Sequence, residues 1–256
     1  MKSITSSSNE FYKELVQLTK NKKHEDMLFF EGEDLVKEAD SKGILKYVII
    51  NQEDNAYNPT KIPNILLSQN LYRNLASFKS LPKMMGIAKI TLATKLEGDL
   101  IYLDGVQDPG NVGTIIRTAL ALNYKGIILS PDSAYPFSSK VIQSSKGAIF
   151  KLPIMIKTIQ EFENLKDYDL IGTLLNGEPL NEAQRNGKPI ILVFGNEGHG
   201  IREEVQQLLN KAYLIPMNEI DSLNVGIAAG IFMYIFRRKK WKSNKKKTYL
   251  KLKLNE

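Results

Sequence analysis

Three short loops hold most of the residues able to do chemistry. The first is Asp108-Pro-Gly-Asn-Val-Gly-Thr-Ile-Ile-Arg117. Gly113 and Arg117 are four apart, so on a helix they share a face. A glycine beneath an arginine leaves room for a ligand that the guanidinium can grip, and a guanidinium suits a phosphate. Asn111 is placed to cap that helix. The second loop is Phe194-Gly-Asn-Glu-Gly-His-Gly200. Its three glycines permit positive φ and close approach to a ligand, and Glu197 in such a turn has more to do than keep a surface soluble. His199 reads as a loop filler. The third stretch runs from Ile215-Pro-Met through Ser222-Leu-Asn-Val to Gly230. Ser222 and Asn224 stand at the start of a helix, where unsatisfied backbone N–H groups attract an electronegative ligand. Gly226, Ala228, Ala229 and Gly230 give that helix little bulk, so something can lie against it. Each stretch alone also has an ordinary structural explanation: a capped helix, a strand-to-helix turn, a buried helix.

The elements that must position these loops follow a rhythm from Leu100 onward. Apolar strands at 100–104, 126–130, 149–153, 169–174, 190–194 and 212–216 alternate with helices at 114–122, 138–145, 159–165, 203–209 and 225–236. Such alternation predicts an α/β domain with a mostly parallel sheet covered on both faces. Ligands of such sheets bind beyond the carboxyl ends of the strands, where all three loops fall. Residues 1–94 read instead as a small α+β unit. Its helices run through Phe11–Leu18 with Asn9 as cap, through Leu35–Ala39, and over 70–78; its strands are 28–30, 46–50, 65–67 and 87–93. The expected division is 1–94, a linker at 95–98, the sheet domain at 99–240 and a tail at 241–256.

Composition narrows the chemistry further. The 256-residue chain contains no cysteine, which removes disulfides, thiolate metal sites and cysteine nucleophiles and suits a reducing cytoplasm. Its two histidines, His24 and His199, are far apart, so no metal is expected. No apolar run is long enough for a membrane span, and the first residues lack the apolar core of a signal peptide. The net charge of +7 is concentrated at one end: Arg237 to Glu256 holds ten basic residues and one acidic residue. A tail of that kind attracts a polyanion. Trp241 within it could stack on a base, and Tyr249–Leu254 alternates as a short edge strand would. Lys140 and Lys146 add positive charge near the sheet domain, and Lys20, Lys22 and Lys23 do so on the first unit. The strand after Asp99 lacks the Gly-x-Gly-x-x-Gly turn of a dinucleotide oxidoreductase, and no phosphate loop of a nucleotide hydrolase is present.

In this order, Asp108-Pro-Gly-Asn-Val-Gly with Arg117, Phe194-Gly-Asn-Glu-Gly, and Ile215-Pro-Met with Ser222-Leu-Asn-Val resemble the three signatures of the SpoU (TrmH-type) RNA ribose 2′-O-methyltransferases of the SPOUT superfamily. The resemblance covers about residues 99–236. Gly226 departs from it, since the family places a serine there. Phe29-Phe-Glu-Gly-Glu and Leu35 look like part of the substrate-binding domain such enzymes often carry. The resemblance implies a trefoil knot in the C-terminal part of the sheet, S-adenosylmethionine as cofactor, a homodimer, and RNA as substrate, ribosomal in preference to transfer RNA. It also implies a catalytic group of Arg117, Glu197, Ser222 and Asn224 and a cofactor pocket lined by Thr173, Gly195, Ile215 and Leu223. RNA contacts are expected from Asn111, Lys140 and Lys146. The competing expectation is an RNA-binding protein that keeps the fold without the activity.

Overall fold

The computed structural model describes residues 2–20, 26–54, 60–77, 80–163, 165–220 and 222–238. The expected tail features, Lys22 and Lys23 lie outside the described residues.

The N-terminal part forms a five-stranded mixed sheet. Its strands are β1 (Lys2–Ile4), β2 (Met27–Glu31), β3 (Leu45–Asn51), β4 (Asn64–Leu67) and β5 (Met85–Lys89), in the order β1-β4-β3-β5-β2. Only β5 runs antiparallel to its neighbours. Three helices accompany it: α1 (Glu10–Thr19), α2 (Glu33–Ser41) and α3 (Gln69–Leu75). Asn9 caps α1 as expected, its side chain accepting from the Tyr12 N–H. The sequence reading had no β1, because three residues are too short to show a period. It also placed the fifth strand at 87–93, whereas β5 ends at Lys89.

The second sheet has six strands: β6 (Leu100–Asp104), β7 (Gly126–Leu129), β8 (Ile154–Ile156), β9 (Asp169–Pro179), β10 (Ile190–Gly195) and β11 (Lys211–Leu214). Their order is β11-β9-β10-β6-β7-β8 and every neighbouring pair is parallel. The central strands β6 and β10 are buried at every position, which is why they read as continuous apolar runs rather than alternating ones. The helices are α4 (Pro109–Ala121), α5 (Ser139–Ser145), α6 (Glu203–Gln206) and α7 (Val225–Phe236).

Several expected elements move. The strand expected at 149–153 is a single 3-10 turn, Ala148–Phe150, entered through Gly147 at φ +79°. The apolar run there reflects burial of a turn, with the Phe150 ring 5.1 Å from Phe30. The strand itself comes later, as β8. The helix expected at 159–165 is two separate turns, because Phe162 adopts an extended backbone. α6 stops at Gln206, short of 209.

The two sheets share one apolar core. Leu28, Phe30, Leu35 and Val36 of the first part cluster with Val141, Ile142, Ile149 and Phe150 of the second. The Gln143 amide donates to the Glu31 carbonyl at 2.8 Å, and Lys151 pairs with Glu38. The N-terminal unit is therefore packed against α5 rather than strung on a free linker.

Candidate active site

The site starts at the carboxyl ends of β6 and β10, where Asp104 and Gly195 are register partners. α4 begins directly after β6, with Pro109 at its first turn. Proline at that position is favourable because its missing N–H would have no helical partner. Asp108, not Asn111, is the cap: its carboxylate accepts from the Asn111 N–H at 2.9 Å. α4 thus begins five residues earlier than the expected 114. Asn111 lies inside the helix with its side chain free for other work.

That side chain is the centre of the site. The Asn111 Nδ2 donates to Glu197 at 2.9 Å, and the Asn111 Oδ1 accepts from the Asn224 Nδ2 at 2.9 Å. Asn224 caps α7, its Oδ1 accepting from the N–H groups of Gly226 and Ile227. Backbone N–H groups can only donate, so Asn224 must turn its oxygen toward the helix and its nitrogen toward Asn111. Asn111 must then offer its oxygen to Asn224 and its nitrogen to the Glu197 carboxylate. One helix end thereby fixes the orientation of both amides. Glu197 completes its own shell by accepting from the N–H groups of Gln107 and Asp108, each at 3.2 Å. Burial would raise the Glu197 pKa, but the Asn111 amide and these backbone donors outweigh it and hold the carboxyl below its ordinary value. A carboxylate so committed orients its neighbours and is a weak proton acceptor.

The loop that presents Glu197 is tied down along its length. The Asn196 amide donates to the Gly105 carbonyl at 2.8 Å, and its oxygen accepts from Gly198 and His199. The backbones of Asn196 and Gly200 exchange two hydrogen bonds. The chain then folds back over Gly195, where an added Cβ would sit 2.1 Å from the Gly200 carbonyl carbon and 2.2 Å from the Ile201 nitrogen. Gly195 is glycine because its own chain crosses it there.

The remaining expected site residues are distributed unevenly. Ser222 is exposed and takes no part in the Glu197–Asn111–Asn224 chain. Arg117 is also exposed, and no described residue hydrogen-bonds or ion-pairs with its side chain. It is six residues beyond Asn111, about a third of a turn round α4. Gly113 does not open a ledge beneath it. An added Cβ at Gly113 would lie 2.5 Å from Ser144 Cβ and 2.8 Å from the Val141 carbonyl, so this glycine seats α4 on α5. Lys140 is paired with Asp108 at 3.1 Å, while Lys146 is exposed in a left-handed conformation at the end of α5. The N–H groups expected to attract an anion at α7 are partly taken by the Asn224 side chain and backbone carbonyl.

Three of the four expected cofactor residues lie on or directly after adjacent strands, near the points where their parallel pairing stops, and Leu223 lies in the loop before α7. Thr173 follows the last residue of β9 paired with β10, Gly195 ends β10, and Ile215 follows β11. The pairing of β11 jumps from Ala212 opposite Gly172 to Tyr213 opposite Glu178, so residues 173–177 are unpaired with it, and Gly177 lies so close to the Ala212–Tyr213 backbone that an added Cβ would sit 2.7 Å from it. Ile215 and Leu223 are half-buried. Half-buried apolar side chains beside strand-end backbone groups fit a flat heterocycle with a hydrogen-bonding edge.

Sequence reasoning missed Asp104, Asp108, Asn196 and Arg202. The signal for Asp108 was present, since an aspartate before proline is the ordinary start of a helix. The others depend on contacts between distant segments.

With this geometry in place, comparison with known proteins is informative. Residues 99–234 match the SpoU rRNA Methylase family. An uncharacterised tRNA/rRNA methyltransferase of Synechocystis is 31% identical over 93% of this chain and 94% of its own. The 23S rRNA (guanosine(2553)-2′-O)-methyltransferase of Bacillus subtilis is 30% identical over 93% of this chain and its entire length. The structure of an AdoMet-bound rRNA methyltransferase from Sinorhizobium meliloti superposes with a TM-score of 0.79 at 26% identity, covering 91% of this chain and 96% of that one. With a family match over more than half its length and relatives aligned along nearly all of it, this chain belongs to the SpoU rRNA Methylase family.

Proposed function

We propose that this protein is an S-adenosylmethionine-dependent RNA methyltransferase that modifies the 2′-oxygen of a ribose in ribosomal RNA. The observation that carries this reading is the hydrogen-bonded chain Glu197–Asn111–Asn224, in which side chains from all three signature loops meet. The bacterial relatives named for ribosomal RNA favour that substrate over transfer RNA.

Thr173, Gly195, Ile215 and Leu223 would hold the cofactor, whose sulfonium supplies an electrophilic methyl for the ribose oxygen. The end of α7 fixes Asn224, and Asn224 and Glu197 together fix the Asn111 amide, so the polar wall facing the substrate needs no reorganisation during reaction. Alignment of that kind can supply roughly 7–11 kcal/mol of a barrier. The exposed Arg117 grips the target phosphate and stabilises charge developing on the sugar oxygen; a guanidinium is not deprotonated and cannot serve as the base, so the hydroxyl proton leaves to solvent. Ser222 positions the ribose. Lys146, and Lys140 when released from Asp108, add contacts to the RNA backbone, and Asn111 adds a polar contact to the RNA.

In this reading residues 1–94 bind substrate, 95–98 connect, 99–240 carry the activity, and 241–256 form a basic tail. The return of the chain through β11 and α7 would form the trefoil knot. α7 leaves Ile227, Tyr234 and Ile235 exposed, an apolar face that a second copy would cover in a homodimer. The protein works in the cytoplasm.

The test combines calorimetry with mapping. The purified protein is titrated with S-adenosylmethionine and then incubated with ribosomal RNA, and ribose methylation is mapped. Cofactor binding with a new 2′-O-methyl group is expected. Cofactor binding without transfer to any RNA, or no binding, would overturn the proposal.

A further inference from the structure

Outside the Glu197–Asn111–Asn224 chain, one buried charge cluster faces the same end of the sheet. Asp104 closes β6 with its side chain fully shielded, and it receives three donors from one residue. The Arg202 backbone N–H and Nε each donate to it at 2.8 Å, and the Arg202 Nη2 also contacts it. Arg202 is half-exposed, with Asp132 at 3.6 Å and Glu204 at 3.7 Å on its outer side. A guanidinium surrounded by carboxylates is not an anion site, so this cluster does not read as a phosphate grip.

Its position suggests a different role. Asp104 is the register partner of Gly195, and Arg202 is where the Glu197 loop ends after crossing Gly195. The loop is thus fastened to the β6–α4 segment at successive points: Arg202 on Asp104, Asn196 on the Gly105 carbonyl, and Glu197 on Gln107, Asp108 and Asn111. The first fastening joins a fully shielded carboxylate to a guanidinium: the Arg202 side chain holds the Asp104 Oδ1 while the Arg202 backbone N–H holds the Oδ2, so both oxygens are fixed. We infer that the Asp104–Arg202 pair is a positioning pair for the proposed reaction: it sets the Glu197 loop against α4, and through it the orientation of Asn111 and Asn224. This inference rests on the functional reading above, and its test separates the two.

Wild type, Arg202→Met, Glu197→Gln and the double variant are compared by single-turnover methyl transfer. Amide exchange of Gln107 and Asp108, whose N–H groups Glu197 holds, is measured alongside. Arg202→Met is expected to lower the rate roughly ten- to hundredfold, as small misplacements near a reacting centre do. In the Glu197→Gln background the same change should cost less than about twofold, because residues acting through one another are not additive. Exchange at Gln107 and Asp108 should quicken about tenfold with Arg202→Met, in line with local opening. Equal losses in both backgrounds, or unchanged exchange, would overturn the inference. Should Arg202→Met fail to fold because Asp104 is stranded, Asp104→Asn with Arg202→Met removes that charge and is read the same way. If wild type transfers no methyl group, the functional reading fails, and the exchange measurement still decides whether the pair holds the loop.

Discussion

Asn224 serves two masters. Its oxygen caps α7 and its nitrogen reaches Asn111. Replacing it with aspartate separates these duties. Aspartate is as good a cap as asparagine, and its charge suits the positive end of a helix. It has no donor for Asn111, however, and would set an oxygen against the Asn111 Oδ1. Asn111 can relieve that clash only by turning its oxygen toward the Glu197 carboxylate, which is no better. Asn224→Asp is therefore expected to melt within a few degrees of wild type while methyl transfer falls about tenfold or more, since a neutral amide–amide hydrogen bond worth about 0.5–1.5 kcal/mol is replaced by a carboxylate set against the Asn111 Oδ1. A variant that turned over at the wild-type rate would disprove the role given to Asn111. At this scale the sequence is half legible. Glu197 stands out because glycines surround it, and Asn224 because it precedes a helix of small residues. The link between them is not legible, since Asn111 is 86 residues from one and 113 from the other. A lone amide inside a helix carries no periodicity that would announce a distant partner.

The helix α4 shows why element boundaries matter for the site. Its start at Pro109 places Asn111 in the first turn, beside Glu197, while a start at 114 would leave Asn111 in a loop. Gly113 then fixes how closely α4 lies on α5. An alanine there would put its Cβ 2.5 Å from Ser144 Cβ and 3.0 Å from the Ser145 nitrogen. Backbone cannot yield as a flexible side chain does, so the helices must separate. Gly113→Ala is expected to lower the free energy of unfolding by about 1–3 kcal/mol, despite the better helix propensity of alanine. Urea denaturation measures this directly, and a stabilised variant would show that the α4–α5 contact has slack. The elements that could be read from sequence were those with strong, long patterns: β6 and β10 as unbroken apolar runs, α7 as an apolar helix after a polar loop. Those misread were short. The turn at Ala148–Phe150 is apolar because it is buried against Phe30, and burial alone does not distinguish a strand from a turn.

The whole molecule is closed at the opposite end of the sheet by Asp99. Its carboxylate, 7% exposed, receives Arg185 at 2.7 and 3.1 Å, Arg238 at 2.8 and 3.2 Å, and the Ile190 N–H at 3.2 Å. Arg185 also donates to the Phe236 carbonyl at 2.5 Å. One carboxylate thus joins the start of β6, the segment before β10, and the end of α7, three places far apart in the chain. Burial raises the Asp99 pKa, but the hydrogen bonds and charge of Arg238 and Arg185 outweigh it, and the group lies below its ordinary value. A carboxyl with a depressed folded pKa stabilises the fold fully above its unfolded pKa, about 3.9. That stabilisation is lost as pH falls through the folded value. Asp99→Ala leaves two guanidinium groups without their partner, and removing one side of a buried pair costs about 3–5 kcal/mol. Half of the Arg238 side chain is exposed to water, so the lower end of that range applies. Denaturant titrations of wild type and Asp99→Ala at pH 7, 5 and 3 should give a gap of about 3 kcal/mol at the first two. At the third the gap should narrow, because below about 3.9 the carboxyl of the unfolded chain takes up a proton that the folded one resists. A gap that stayed constant down to pH 3, or that never opened, would mean that the three segments are held by packing around Phe236 and Tyr124 rather than by this charge.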